Sequence, residues 1–131
     1  MPSSPVALVI ATHPQQCRTL VSALEELGLR PALAFTVEDA RQVLHSPQLA
    51  VVISAPRLLD GTYREVLQQT QARKLPMVLM LHHGAADQSV AAADAGVAGF
   101  LTFPFTASEV EQVLRDSCGS AIPFPRRAAS A

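Results

Sequence analysis

This sequence has few cysteines, no long apolar run and almost no net charge, and each scarcity excludes a class of protein. No apolar run reaches the roughly 18 residues that a membrane-spanning helix needs, so we expect no membrane partner. The net charge of -1 at pH 7 provides no basic field for nucleic acid. The opening residues, MPSSPVALVIATHP, lack the basic segment that begins a signal peptide. Since Cys17 and Cys118 are too few for a disulfide scaffold, the composition predicts a cytoplasmic domain in a reducing compartment.

Apolar residues make up 49% of the 131 positions, which is enough for the core of one domain. They include five short unbroken runs, and a helical pattern follows each run. Unbroken runs indicate strands that are covered on both faces, hence a parallel sheet between two layers of helices. The sequence therefore predicts an α/β fold with a single doubly wound, five-stranded parallel sheet. The strands are predicted over Val6–Ile10, Ala32–Phe35, Leu49–Ile53, Met77–Leu81 and Val97–Thr102.

Five helices are predicted from the spacing of apolar residues and from their start and stop signals. The first helix ends at Gly28, the second is opened by Thr36, and the third begins at Tyr63. The fourth is rich in alanine, covers about 87–95 and stops at the next glycine. The fifth is opened by Thr106, which has a glutamate three residues later, as in a capping box.

A functional site is expected beyond the carboxyl ends of the strands, where doubly wound sheets bind their ligands. The residues at those ends are Ala11, Thr12 and His13, then Ser54 and Ala55, then His82 and His83, then Thr102, Phe103 and Pro104. They contain neither a glycine-rich phosphate loop nor a dinucleotide fingerprint, so we expect no cofactor. Ser54 and His82 could act as nucleophile and base, but no acidic partner accompanies them, so we do not expect an enzyme.

The stretch AAADAGVAGFLTFPFTASEV contains an Ala-Gly pair, a short strand, a Phe-Pro-Phe turn and a capped helix, in that order. Together with VALVIATHP, PQLAVVISAPRLLDG and PMVLMLHH, it resembles the CheY-like receiver domain of two-component response regulators. The resemblance implies a flavodoxin-like (βα)5 fold with strand order 2-1-3-4-5 and a role in bacterial phosphorelay signal transduction. It covers a receiver-like domain over residues 1–117. Residues 118–131 show no periodicity, and we expect them to form a flexible tail or a linker.

The resemblance also assigns roles to the strand ends, and there the residues that phosphorylation requires are replaced. The acidic pair with which receivers hold magnesium corresponds to Ala11 and Thr12, and neither supplies a carboxylate. The aspartate that accepts the phosphoryl group corresponds to Ser54, or to Ile53 if the following loop is not shortened. Neither side chain can form an acyl phosphate.

Further positions in the resemblance concern the switch that follows phosphorylation. The small hydroxyl residue after the fourth strand is replaced by His82, and the lysine before the proline is replaced by Phe103. Pro104 matches the family's cis-proline, and Phe100 occupies the position of its switch aromatic residue. The resemblance therefore implies a degenerate receiver, or pseudo-receiver, that lacks the means to accept a phosphoryl group.

We expect such a domain to act as a protein-interaction or dimerisation module. The fourth predicted helix, the fifth predicted strand and the fifth predicted helix form the family's usual partner face. The alternative is a small-molecule or metal sensor whose crevice is lined by His13, Ser54, His82 and Phe103. His13, His82 and His83 are the imidazoles that could bind a metal ion there. Loop histidines without a metal are the simpler interpretation, so we expect no metal.

Overall fold

A computed structural model describes residues 5–12, 17–81, 95–103 and 105–118. Strands alternate with helices as the sequence predicts, and a small hairpin precedes the third helix. The strands are β1 (Val6–Ile10), β2 (Arg30–Ala34), β3 (Leu49–Ser54), β4 (Arg57–Leu58), β5 (Gly61–Thr62), β6 (Met77–Leu81) and β7 (Gly99–Thr102). The helices are α1 (Arg18–Glu26), α2 (Val37–Leu44), α3 (Tyr63–Ala72) and α4 (Ala107–Cys118). Within these described ranges, no helix is long and apolar enough to cross a membrane.

The five long strands form one parallel sheet in the order β2-β1-β3-β6-β7. With the hairpin strands β4 and β5 set aside, this is the predicted order 2-1-3-4-5, so the predicted doubly wound fold is confirmed. The central strands β1 and β6 are buried along their whole length, and β3 nearly so. Burial on both faces explains why these strands read as unbroken apolar runs.

Helices cover both faces of the sheet in two packed pairs. One pair is α1 with α4, and the other is α2 with α3. The crossover from β1 to β2 runs in the opposite direction from the later crossovers, and right-handed connections then place α1 and α3 on opposite faces. The helix α4 corresponds to the fifth predicted helix. The fourth predicted helix lies almost entirely outside the described residues, but its predicted stop is confirmed by Gly96, which turns with φ +108°.

The predicted bounds of two outer strands were wrong. Strand β2 begins at Arg30 rather than Ala32, because the Arg30 N–H donates to the Pro5 carbonyl at 2.9 Å and starts the ladder with β1. The sequence did not indicate this start, because the arginine and proline at the beginning of the strand are not part of an apolar run. Strand β7 begins at Gly99 rather than Val97. The Ala98 N–H, one residue earlier, donates to the Met77 carbonyl at 2.8 Å where the chain approaches the sheet.

Strand β2 is an edge strand that offers little for another strand to pair with. Arg30 and Ala34 direct their backbone groups toward β1, so the alternate residues Pro31 and Leu33 direct theirs outward. Proline has no N–H, which leaves Leu33 as the outward backbone donor within the strand. This composition protects the edge against unwanted strand pairing.

Helix α2 is held at both ends by groups from the neighbouring hairpin and helix. At its start, the Val37 N–H donates to Asp60 Oδ1 at 2.6 Å and the Asp39 N–H donates to Thr36 Oγ1 at 3.0 Å. At its end, the Arg73 guanidinium donates to the Leu44 carbonyl. An anion at the start and a cation at the end both complement the helix dipole, so these contacts stabilise α2 and tie it to α3.

The contact between β7 and α4 is unusually close because Gly99 has no side chain. A Cβ atom at Gly99 would overlap Ser117 Oγ and would lie 3.2 Å from Val113 Cγ1. Ser117 Oγ is buried and has no hydrogen-bond partner among the described residues. The close approach of α4 to β7 therefore leaves the Ser117 hydroxyl without a hydrogen bond from the described residues, which is unfavourable.

This close approach predicts a coupled pair of substitutions. Ser117→Ala removes the unsatisfied hydroxyl and should raise the free energy of unfolding by about 1 kcal/mol. Gly99→Ala should lower it by roughly 1–3 kcal/mol, because the new methyl group displaces α4. In the Ser117→Ala background, the Gly99→Ala cost should shrink, since the overlapping oxygen is gone. Urea unfolding of the four proteins measures this coupling, and strictly additive effects would contradict it.

The contact of Asp60 with α2 predicts a pH-dependent stability. The backbone N–H of Val37 lowers the pKa of Asp60, so its contribution is present above the unfolded pKa of about 3.9 and is lost as the pH falls through the lower folded value. Asp60→Asn should therefore lower the free energy of unfolding at pH 7. The difference from the wild type should shrink below about pH 4. Urea unfolding at several pH values measures it, and a difference that does not change with pH would refute the role of the charge.

Candidate functional site

The ladder brings the residues that follow the strands together at the carboxyl edge of the sheet. The Ala55 N–H donates to the Ile10 carbonyl at 2.8 Å, and the Phe103 N–H donates to the Leu81 carbonyl at 2.8 Å. Because Ile10 pairs with Ser54, the next residues along, Ala11 and Ala55, stand side by side. The ends of β1 and β3 are therefore side by side, whereas Phe103 lies at the same edge but follows β7, which is separated from β3 by β6.

The described residues at this edge carry few functional groups that could bind a ligand or a metal ion. Ala11 and Ala55 are buried and carry only methyl groups, and Thr12 contributes a partly buried hydroxyl. Magnesium takes oxygen ligands, usually including carboxylates, and none of these side chains has one. Across the part of the chain that the structure describes, no group of three or more His, Cys, Asp or Glu side chains could hold a metal ion.

Ser54 is directed into the protein rather than toward a substrate. Its side chain is fully buried, and its Oγ donates to the Ala55 carbonyl at 2.8 Å. Ile53, the other residue proposed to match the phospho-acceptor, is also fully buried within β3. The residue that directly follows the strand is Ala55. The sequence reading assigned it to the edge but did not compare it with the acceptor.

Phe103 forms an apolar cover at the end of β7. Its side chain is partly buried against the core, and its ring packs on the buried ring of Phe105. The ring centroids are 4.6 Å apart and the planes are tilted by 36°. A tilted pair at this separation is a favourable aromatic contact, so Phe103 is an anchored side chain at the crevice.

Phe100 projects from the face of β7 opposite α4. Gly99 faces Val113 and Ser117 of α4, and alternate residues of a strand point to opposite sides. Phe100 is partly buried and packs against the core at its backbone partner Leu79. The side chain therefore lies on the same side of the sheet as α2 and α3.

Several predicted site residues lie outside the described residues. They are His13, His82, His83 and Pro104. The predicted cis-proline is therefore untested, as are the expectations that the three histidines bind no metal and that His82 does not act as a base for Ser54. Cys17, which directly precedes α1, is buried, and burial raises the pKa of its thiol. A buried thiol with a raised pKa stays protonated at neutral pH and is a poor nucleophile.

A cleft of about 540 Å³ lies beside α2. Its charged lining includes Glu38, Arg41, Asp60 and Glu65. Asp60 already accepts from the start of α2, and Glu65 accepts from the Thr62 N–H in a capping box. Two of its three carboxylates thus hold helix starts, which accounts for them structurally.

The anchored position of Phe103 predicts a measurable stability contribution. Phe103→Ala removes the ring contact with Phe105 and should lower the free energy of unfolding by roughly 1–3 kcal/mol, less than a fully buried phenylalanine would. Phe103→Leu, which keeps apolar contact, should cost less. Chemical denaturation of the three proteins makes the comparison. A change for Phe103→Ala within about 0.5 kcal/mol would mean that the ring is detached from the core.

Comparison with known proteins places the fold among response regulators, although no family model matches the sequence. The photosynthetic apparatus regulatory protein RegA of Rhodovulum sulfidophilum is 28% identical over 123 residues, which cover 92% of this chain and 67% of that protein. RegA of Rhodobacter capsulatus is 28% identical over 108 residues, covering 81% and 58%. The response regulator protein PilR of Pseudomonas aeruginosa is 26% identical over 110 residues, covering 82% of this chain and 25% of PilR. The chain thus spans only part of these relatives.

Solved structures of response regulators match this fold at lower sequence identity. A response regulator receiver domain protein of Clostridium thermocellum superposes with a TM-score of 0.78 at 16% identity, covering 89% of this chain and 96% of that one. NtrX of Brucella abortus superposes with a TM-score of 0.79 at 21% identity, covering 91% of this chain and 28% of NtrX. These superpositions show that the chain has the receiver fold.

Proposed function

We propose that this receiver-fold chain, a relative of the RegA and PilR response regulators, acts in two-component-type signalling as a protein-interaction module that does not depend on phosphorylation. In this proposal it is a degenerate receiver that acts by binding its partner and does not accept a phosphoryl group. It is not an enzyme, and it needs no metal or cofactor. The cytoplasmic location that the cysteine content predicts is part of the same proposal.

One observation carries the proposal: the described strand ends hold no charged side chain where a phosphoryl group would have to be bound. Phosphorylation by the receiver mechanism needs a carboxylate nucleophile, a magnesium ion and a cation near the transferred oxygens. The edge instead presents Ala11, Thr12, Ala55 and Phe103. The conclusion does not depend on which of Ile53, Ser54 or Ala55 is compared with the acceptor aspartate, because none has a carboxylate.

The contact of Phe103 with Phe105 supports the same conclusion. The position that the receiver resemblance assigns to a lysine carries a ring that is packed on a buried neighbour. An apolar ring offers no hydrogen bond to a phosphoryl oxygen, and its burial would be lost if it moved aside. The described side chains at this edge therefore favour a crevice that does not bind anions.

The proposed interaction face is that of the fourth predicted helix, β7 and α4, and the partner is another protein or a second copy of the chain. β7 is the last strand of its sheet, and α4 packs directly on it. Phe100 lies on β7 and is only partly buried, so apolar surface remains at this position. An aromatic side chain of this kind is typical of the centre of a docking site.

A sensor that uses the crevice is the alternative, and the described residues do not favour it. Of the four side chains assigned to its lining, Ser54 has its hydroxyl bonded to a backbone carbonyl and Phe103 packs on Phe105. Neither is directed at an open cavity. His13 and His82 lie outside the described residues, and the sensor stays an untested second hypothesis.

Amide NMR spectra with and without magnesium and beryllofluoride, a mimic of the phosphoryl group, test the proposal. We expect no shifts at Thr12, Ala55 or Phe103, because no side chain there can bind the metal or accept the mimic. Sedimentation across a dilution series should give the same assembly with and without these reagents.

A matched control reinstates the missing charges through Ala11→Asp, Thr12→Asp, Ala55→Asp and Phe103→Lys in one chain. If the amide spectrum of this variant shows the native fold, saturable shifts in the variant alone would show that the edge binds the mimic once the charges are present. They would also show that the wild-type side chains prevent this binding. Saturable shifts in the wild type would end the proposal.

A further inference from the structure

The hairpin of β4 and β5 exposes a leucine at its tip. Leu59 is 73% exposed, whereas the neighbouring Leu58 is buried. Among the described residues, Leu33 is the other large apolar side chain classed as exposed, at 49%, and it lies on the edge strand β2. The apolar surface of Leu59 is not buried by folding, so a partner that covered it would gain that burial.

The backbone that carries Leu59 is fixed from several directions. Arg57 pairs with Thr62 across the hairpin, and the Tyr63 N–H donates to the Pro56 carbonyl at 3.2 Å. On the other side of the leucine, Asp60 accepts from the Val37 N–H at 2.6 Å. A side chain on such a fixed backbone can be bound without the entropy cost of ordering a loop.

Two arginines lie near this leucine in the sequence, and neither has a carboxylate partner in the part of the chain that the structure describes. Arg57 precedes Leu59 by two residues and is exposed, and the exposed Arg64 is the second residue of α3. The bond between Pro56 and Tyr63 holds the two arginines near each other, since each directly follows one of the bonded residues. The Arg64 guanidinium lies 5.9 Å from the centroid of the Tyr63 ring.

Neither arginine is paired within the described residues. The ion pair found there joins Arg115 to Glu111, at 3.2 Å within α4. Guanidinium groups bind carboxylates through two parallel hydrogen bonds and lose little hydration in doing so. Arg57 and Arg64 can therefore receive two acidic side chains of a partner whose apolar side chain contacts the hairpin tip.

We propose that the hairpin surface formed by Arg57, Leu59 and Arg64 docks an acidic protein segment that carries an apolar side chain. Leu59 takes the apolar residue, and the two arginines take neighbouring carboxylates. The inference rests on the proposed function only in that both make the domain a binding module. The surface differs from the face of β7 and α4, and its chemistry does not involve the strand ends.

The test uses displayed peptides of random sequence as the probe. Peptides are selected on the wild-type chain after removal of those that bind a variant with Arg57→Ala, Leu59→Ala and Arg64→Ala. We expect the survivors to combine aspartate or glutamate with an apolar residue, and to shift the amide signals of residues 57–64. Leu59→Ala alone should weaken a selected peptide about tenfold or more, and added salt should weaken it further.

Matched controls are Leu33→Ala and Arg18→Ala, which remove an exposed leucine and an exposed arginine elsewhere and should leave the peptide affinity unchanged. The proposal is overturned if no peptide requires Leu59, if the selected peptides are not acidic, or if their signals map elsewhere. Peptides that map to β7 and α4 would overturn it while supporting the proposed function. Phosphoryl-mimic binding by the wild type would remove the proposed function and leave this inference standing.

Discussion

The parallel ladder between β1 and β3 is the contact on which the rest of this structure depends. Val9 pairs with Ile53 and Ile10 with Ser54, and all four side chains are excluded from water. Burial of these two strands supplies a large share of the apolar area that stabilises the domain. The same pairing decides which residues emerge together at the carboxyl edge. The neutral character of that edge therefore follows from the ladder register and from the side chain that follows each strand.

Several charged side chains in this domain stabilise the ends of helices. Asp60 and Arg73 complement the two ends of α2, and the Glu65 carboxylate completes the capping box of α3. These charged groups lie at helix ends and not at the crevice, where the described residues include no ionic side chain. The arginines at positions 57 and 64 are different, because they support no helix end or ion pair within the described residues.

The fold was largely predictable, because buried parallel strands produce the unbroken apolar runs from which it was read. The outer strand β2 was misplaced since an edge strand is only half-buried and tolerates Arg30 and Pro31. The hairpin of β4 and β5 was not predicted, because two-residue strands have no periodicity to detect. The loss of charge at the strand ends could be read from the sequence. The packing of Phe103 on Phe105 could not, because a contact between two rings leaves no periodic pattern in the sequence.

The blunted edge of β2 has a consequence for how large any assembly can become. A sheet with two open edges can add copies at both ends and grow into a fibre, whereas a sheet with one open edge cannot. Pro31 removes an outward donor from β2 and leaves that of Leu33. If two copies joined through β7, the joined sheet would present β2 at both of its ends. With so little left for a further strand to pair with, growth beyond two chains would be hindered, and one proline on the far side of the sheet would help to protect a self-associating domain from polymerisation.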